Sequence, residues 1–163
     1  MKLYHGTNHK SFDKILLSKS KDNKDFGKGF YLTDDKQQAL ELANYRTSLL
    51  GGEPLVLAYE FSLQDALDAG LLYLDFKDYT EEWANFIFLN RDTAHKEKMH
   101  LYDIVHGPIA DDKVGLQIQF FKQQFISIET LIERLKYQKP TFQYYFGTER
   151  AQVKMANIVY EDR

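Results

Sequence analysis

The sequence predicts an α+β domain built around a split or strongly twisted β-sheet with flanking helices. Short apolar or aromatic segments alternate with segments of helical periodicity, and several of the predicted strands are very short. A chain of 163 residues, 44% of them hydrophobic and 15% aromatic, can bury one core, and no linker or internal repeat divides it. We therefore expect a single domain over residues 1–163.

Six segments are predicted as strands because they are apolar or aromatic and are bounded by glycine, proline or polar residues. They cover residues 3–5, 30–33, 54–62, 72–76, 102–107 and 142–146. The first two each lie beside a glycine, because Gly6 follows the first strand and Gly29 precedes the second.

Apolar residues at three- and four-residue spacing, preceded by capping residues, predict the helices. The predicted helices and helical turns cover residues 11–17, about 34–49, 63–67, 80–90, 114–121, 128–135 and 148–155. The predicted caps among them are Ser11, Asp34 or Asp35, Ser127 and Thr148.

The composition excludes several classes of protein. Without cysteine the chain has no disulfide framework, thiolate metal site or cysteine nucleophile, which suits a reducing compartment. A formal charge of −3 provides no general basic field for nucleic acid, and the lysine-rich segment 10–28 is either a solvated loop or a local phosphate-binding face. No signal-peptide core opens the sequence, and no apolar run approaches the ~20 residues of a membrane helix. We expect a cytoplasmic protein without membrane contact.

Three segments place a pocket-forming side chain at the end of a strand. His5 and Gly6 can offer a neutral imidazole and a closely approachable backbone to a ribose, or His5 can bond only within its own core. Phe30 and Tyr31 face opposite sides of their strand, so that one can stack on a flat ligand, unless both are core aromatics of a hairpin. Gln143 opens an aromatic strand, where its amide faces either a ligand or water.

Several charged residues fit a structural role as well as a functional one. Arg91 either binds a phosphate through its bidentate fork or pairs with Asp103 or Asp111. Glu149 at a helix start either stabilises the helix dipole or assists catalysis. Asp111 and Asp112 follow a Gly-Pro turn without ligand spacing, so we predict no metal site.

Taken in order, these segments resemble the ADP-ribosyltransferase superfamily, and in particular its histidine–tyrosine class. The sequence is most similar to a bacterial ADP-ribosyltransferase-like toxin family that is often encoded in toxin–antitoxin operons. The similarity lies in YHGT at 4–7, KDFGKGFYLT at 24–33, YDIVHGPIADD at 102–112, which contains the candidate pocket residue His106, and QYYFGTERA at 143–151. It implies the split, twisted sheet of that superfamily, NAD as substrate, and a cognate antitoxin protein as partner.

The resemblance also implies roles for individual residues. His5 holds a ribose hydroxyl of NAD, Gly6 presents its backbone to the nicotinamide amide, and Tyr31 stacks on the nicotinamide ring. The loop 26–28 borders the dinucleotide, where Lys28 either meets the pyrophosphate or is merely solvated. The remaining residues implied to bind NAD are Thr7, Gly29 and Thr33.

The sequence departs from the family pattern at Gln143, where many transferases have a glutamate. An amide accepts a hydroxyl hydrogen bond, but it supplies no charge to the transition state and cannot act as a general base. The implied reaction is transfer of ADP-ribose from NAD to a nucleic-acid base or a protein, with His5, Tyr31 and Gln143 as catalytic residues. The alternatives are hydrolysis of NAD and a catalytically inactive transferase fold that acts as a binding module.

Overall fold

The computed structural model describes residues 1–8 and 20–161, in which seven strands and six helices are interspersed. The α+β class predicted from the sequence is confirmed. The strands are β1 (Lys2–Thr7), β2 (Phe30–Leu32), β3 (Leu55–Phe61), β4 (Tyr73–Asp75), β5 (Ile104–Pro108), β6 (Phe142–Phe146) and β7 (Met155–Glu161). The helices are α1 (Lys36–Leu50), α2 (Leu63–Asp68), α3 (Glu81–Arg91), α4 (Asp112–Lys122), α5 (Ile128–Leu135) and α6 (Glu149–Gln152).

The strands form two sheets, one ordered β1-β3-β7 and the other ordered β2-β6-β5-β4. All neighbours pair antiparallel except β4 and β5, which are parallel. The sheets meet where Tyr4 and Thr33 exchange two backbone hydrogen bonds of 2.7 and 2.9 Å. Beyond this bridge the two sheets separate, and the opening between β1 and β2 is where the cleft described below begins.

The buried side chains form layers on both sides of the two sheets. One core, which includes Leu57, Phe61 and Phe146, lies between the sheets. A second core, centred on Trp83 and Tyr145, lies between the other face of the β4–β6 sheet and helices α3, α4 and α5. Helix α1 covers the outer face of β1 and β3 through a small cluster of Ala39, Ala43 and Val56.

Side-chain caps fix where the helices begin. Asp35 accepts hydrogen bonds from two backbone N–H groups at the start of α1, and Ser127 and Thr148 each accept one at the starts of α5 and α6. These three caps were predicted from the sequence. Residues 11–17, where a helix capped by Ser11 was predicted, lie outside the described residues.

The prediction of a final helix through Met155 was wrong. Helix α6 ends at Gln152, and Met155 begins β7, which pairs with β3. The Thr148 cap starts a helix as predicted, but the following residues pair with the free edge of β3. Pairing with a distant strand outweighs the local helical pattern, which single-sequence periodicity cannot anticipate.

Candidate functional site

A cleft of about 1010 Å³ opens where β1, β2 and β6 approach helix α1. This volume is at the upper end of the roughly 300–1,000 Å³ typical of ligand sites. Of the predicted site residues, the cleft is lined by His5, Gly6, Tyr31, Thr33 and Gln143. Three separate segments of the sequence therefore contribute to one concave surface.

His5 is held at the cleft by a hydrogen bond of 2.9 Å between its Nδ1 and the backbone carbonyl of Tyr31. A carbonyl only accepts hydrogen bonds, so Nδ1 carries the proton and Nε2 is left as an acceptor in the neutral ring. Burial is the main cause that lowers the pKa of His5 to about 4, and nearby Arg46 and Lys24 lower it further against the effect of the Tyr31 carbonyl. The ring is therefore neutral at physiological pH.

Tyr31 is held by hydrogen bonds at its hydroxyl and by aromatic contacts of its ring. Its hydroxyl donates to the Gly27 carbonyl at 2.7 Å and accepts from the Phe26 N–H at 3.0 Å. The ring lies near-parallel to Phe26 at 6.1 Å and contacts the edge of Tyr145 at 5.4 Å. Burial raises the pKa of the Tyr31 hydroxyl well above its usual value, so the group stays protonated. The aromatic ring is thus held rigidly beside the cleft.

Gly6 places its backbone in the opening between the two sheets. Met1 and Phe61 exchange backbone hydrogen bonds, so every second residue of β1 bonds to β3. The residues between them, Tyr4 and Gly6, therefore point their N–H and carbonyl groups away from β3. The Gly6 carbonyl accepts a hydrogen bond of 2.8 Å from Arg46 Nη1. The glycine is also required for packing.

A side chain at position 6 would collide with helix α1. A Cβ there would overlap the carbonyl oxygen of Ala39 and lie 3.0 Å from the backbone nitrogen of Ala43. The sequence predicted that a ligand approaches the backbone of Gly6 closely. The structure shows that the backbone of helix α1 also does so.

Gln143 and Tyr31 share one face of the second sheet. Tyr31 lies opposite Tyr145 in the pairing of β2 with β6, and Gln143 is two residues away on the same strand. Since side chains alternate along a strand, Gln143 points to the same side as Tyr145 and Tyr31. Thr33 also lines the cleft, where its hydroxyl donates to the side-chain carbonyl of Gln38 at 2.6 Å.

Two half-buried cations line the cleft, and the sequence analysis named neither. The Lys24 ammonium lies 4.7 Å from the centre of the Tyr31 ring, and Arg46 reaches Gly6 from α1. Burial, followed by the positive charges of Arg46 and Lys21, lowers the pKa of Lys24 to about 8. The sequence analysis included Lys24 only within the lysine-rich segment 10–28, as one possible phosphate-binding face, and it gave no signal for Arg46.

Other residues implied to bind NAD do not line this cleft. Thr7 is buried at the end of β1, and Gly29 is buried against the ring of Tyr145, which a Cβ at position 29 would overlap. Lys28 is exposed and pairs with Asp22 at 3.2 Å, which favours the solvated alternative for this lysine.

The charged residues with two predicted roles are engaged in structural contacts. Arg91 lines the cleft but pairs with Asp25 at 2.6 Å instead of Asp103 or Asp111. Asp111 caps α4, and the buried Asp103 accepts from both Arg150 and Thr148. Glu149 lies in the first turn of α6, as predicted.

His106 lies on the other face of the second sheet from Gln143. It stacks on Tyr144 with ring centres 4.3 Å apart, and its Nδ1 lies 2.8 Å from Asp75. The side chain lines a smaller cavity of about 570 Å³, which shares Gln38, Glu41 and Thr141 with the main cleft. His106 is a pocket residue, but of this neighbouring cavity.

Within residues 1–8 and 20–161, no group of three or more acidic or histidine side chains is arranged to hold a metal ion. No helix in the described part of the chain is long and apolar enough to cross a membrane.

The sequence matches a known protein family. A family model described as "Protein of unknown function (DUF3990)" matches residues 1–156. No curated protein and no solved structure matches the chain. The match covers nearly the whole sequence, including every residue of the cleft.

Proposed function

We propose, from the premise that this chain belongs to the DUF3990 family of unknown function, that it transfers ADP-ribose from NAD to a macromolecular acceptor. The observation that carries the proposal is that His5, Tyr31 and Gln143, from three distant segments, line one cleft of sufficient volume. An ADP-ribosyltransferase-like fold is part of the proposal. The division of the strands into two sheets that are joined by the Tyr4–Thr33 bridge supports it.

In the proposed reaction the glycosidic bond between nicotinamide and C1′ of its ribose breaks. The bonding electrons leave with nicotinamide and neutralise its positively charged ring. An acceptor nucleophile, on a nucleic-acid base or a protein, then bonds to C1′ and releases its proton to solvent. Tyr31 stacks on the nicotinamide ring, and the neutral His5 accepts a hydrogen bond from a ribose hydroxyl through Nε2. Catalysis comes mainly from positioning.

Gln143 sets the limit of this mechanism. Its amide oxygen can accept from the ribose 2′-hydroxyl, but it provides no negative charge for the oxocarbenium-like transition state. Replacement by glutamate is therefore expected to raise the rate of nicotinamide release by about 10²-fold, the lower end of the effect of one electrostatic group. An unchanged rate in Gln143→Glu would place this residue outside the reacting centre, and a lower rate would contradict the proposed stabilisation by charge.

The neutral amide also favours two alternatives. In the first, water replaces the acceptor and the protein is an NAD glycohydrolase. In the second, the cleft binds a ligand without turnover. Release of nicotinamide with free ADP-ribose and no labelled macromolecule would select the first, and binding of NAD without nicotinamide release would select the second.

The test is incubation with NAD labelled in the adenine moiety, in the presence of cell extract, with released nicotinamide and labelled macromolecules both measured. We expect both signals from the wild type and neither from His5→Ala or Tyr31→Ala. His95→Ala and Tyr137→Ala are matched controls, because both residues lie outside the cleft and Tyr137 is 87% exposed. No signal from a folded wild type, or full activity in the cleft variants, would refute the proposal.

The proposal includes a biological setting, in which the protein acts in the cytoplasm as the toxin of a toxin–antitoxin pair with a cognate antitoxin protein as partner. Expression of the wild type is expected to arrest bacterial growth, and expression of Tyr31→Ala is not. Co-expression of the neighbouring gene is expected to restore growth. Arrest by both proteins alike would remove catalysis from the explanation.

A further inference from the structure

We propose that Lys24 and Arg46 together form an anion subsite in the cleft that binds a diphosphate group. Binding of the anion stands on the geometry of the two cations alone. The identification of its carrier as NAD rests on the proposed function.

The first observation is that both cations have weak or few partners. Lys24 Nζ lies 3.5 Å from Ser20 Oγ and 4.7 Å from the centre of the Tyr31 ring. Arg46 uses one of its five N–H donors on the Gly6 carbonyl. In the part of the chain that the structure describes, no carboxylate lies within ion-pair distance of either cation. Donors are therefore left for a ligand.

The second observation is that several other basic residues of the fold form ion pairs. Half-buried charges cost free energy unless an opposite charge or hydrogen bonds compensate them, and an unpaired pair of like charges adds repulsion. Ion pairs are formed by Arg91 with Asp25, Arg150 with Asp103, and Lys28 with Asp22. Lys24 and Arg46 are exceptions, and both of them line the same cleft. Two adjacent cations match the two negative charges of a diphosphate.

The third observation is the position of the two cations relative to the predicted NAD-binding groups. Lys24 lies over the ring of Tyr31, and Arg46 bonds to Gly6, the residue next to His5. The subsite therefore lies beside the groups proposed to hold the nicotinamide ring and its ribose. In NAD a diphosphate is the group attached to that ribose, which makes it the anion expected at this position.

The charges that face Lys24 give the subsite a defined pH dependence. Arg46 faces it from α1, Lys21 and Asp25 from its own loop, and the neutral Tyr31 hydroxyl belongs to β2. Burial and the two cations lower the pKa of Lys24 to about 8, and a bound anion raises it again. The contribution of Lys24 to diphosphate affinity is therefore expected to be nearly constant below pH 8 and to fall above it. Binding near pH 8 takes up protons.

The test is calorimetric titration of inorganic diphosphate and of ADP into the folded protein. Loss of one charge-assisted contact is expected to weaken both ligands about tenfold or more in Lys24→Met and in Arg46→Met. Lys28→Met is the matched lysine control in the same loop, and Arg134→Met is the matched arginine control, since Arg134 is exposed and bonds to Gln117. Both controls are expected to bind as the wild type does.

Each result supports or overturns the subsite. Diphosphate binding that is unchanged in Lys24→Met, or weakened equally in Lys28→Met, would overturn it, because a diffuse positive field would then be sufficient. Lys24→Met alone decides the matter if loss of the Gly6 contact unfolds Arg46→Met. Diphosphate binding that depends on Lys24 without NAD turnover would leave the subsite and refute the proposed function. NAD turnover that is unchanged in Lys24→Met and Arg46→Met would support the proposed function and refute the subsite.

Discussion

Replacement of Tyr31 by phenylalanine separates the structural role of the hydroxyl from the binding role of the ring. The substitution keeps the aromatic ring but removes both hydrogen bonds of the hydroxyl, to the Gly27 carbonyl at 2.7 Å and from the Phe26 N–H at 3.0 Å. Each bond contributes about 1 kcal/mol net, so the free energy of unfolding should fall by about 2 kcal/mol. The loss is measured by urea denaturation followed by far-UV circular dichroism.

The same variant tests whether the ring or the hydroxyl is needed for a ligand. If the ring stacks on nicotinamide, Tyr31→Phe retains NAD binding at a temperature where it is folded, whereas Tyr31→Ala loses it. Tyr137→Phe is the control, because a hydroxyl on a side chain 87% exposed should change stability by less than about 0.5 kcal/mol. Wild-type stability in Tyr31→Phe would refute the anchoring of the 26–27 loop by this hydroxyl.

The remaining predictions concern packing and protonation. Gly6→Ala should lose about 3 kcal/mol in a thermal or urea melt, because its Cβ overlaps the backbone of Ala39, which no rotamer change relieves; stability within 1 kcal/mol of wild type would contradict the close contact. Burial alone would raise the pKa of Asp103, but hydrogen bonds led by that from Arg150 lower the pKa to about 2. The ionised carboxylate therefore adds about 2 kcal/mol to the free energy of unfolding above pH 4, and this contribution is lost as the pH falls to 2. Asp103→Asn should lose this contribution at pH 7 and show a shallower acid dependence, and an unchanged acid profile would exclude the contribution. Proton NMR of His5 should give a titration midpoint near pH 4, whereas a midpoint near 6.5 would contradict its burial.

The regular elements were predictable where the signal is local. The starts of three helices were predicted from the caps Asp35, Ser127 and Thr148, because an N-cap acts within the first helical turn. Strand β7 was not predictable, because Met155 and its neighbours become a strand only through pairing with β3. The division into two sheets likewise depends on which edges pair.

The same distinction holds for the candidate site. His5, Tyr31 and Gln143 could be named because their motifs follow one another in a recognisable order, and all three line the cleft. The prediction that each stands at a strand end was wrong, since all three lie inside their strands. Lys24 could be placed only within the lysine-rich segment 10–28, and Arg46 could not be named, since an arginine on a helix has no distinctive local pattern. Lys28 was the lysine named individually from the sequence, as either a pyrophosphate contact or a solvated residue, and it pairs with Asp22 outside the cleft. Only the folded loop distinguishes these two lysines.

The most direct test of the central claim is calorimetric titration of NAD into the wild-type protein and into His5→Ala and Tyr31→Ala, each confirmed as folded by circular dichroism. The proposed site predicts saturable binding of one NAD per chain to the wild type and loss of that binding in both variants. No binding to the folded wild type, or equal binding by all three proteins, would contradict it.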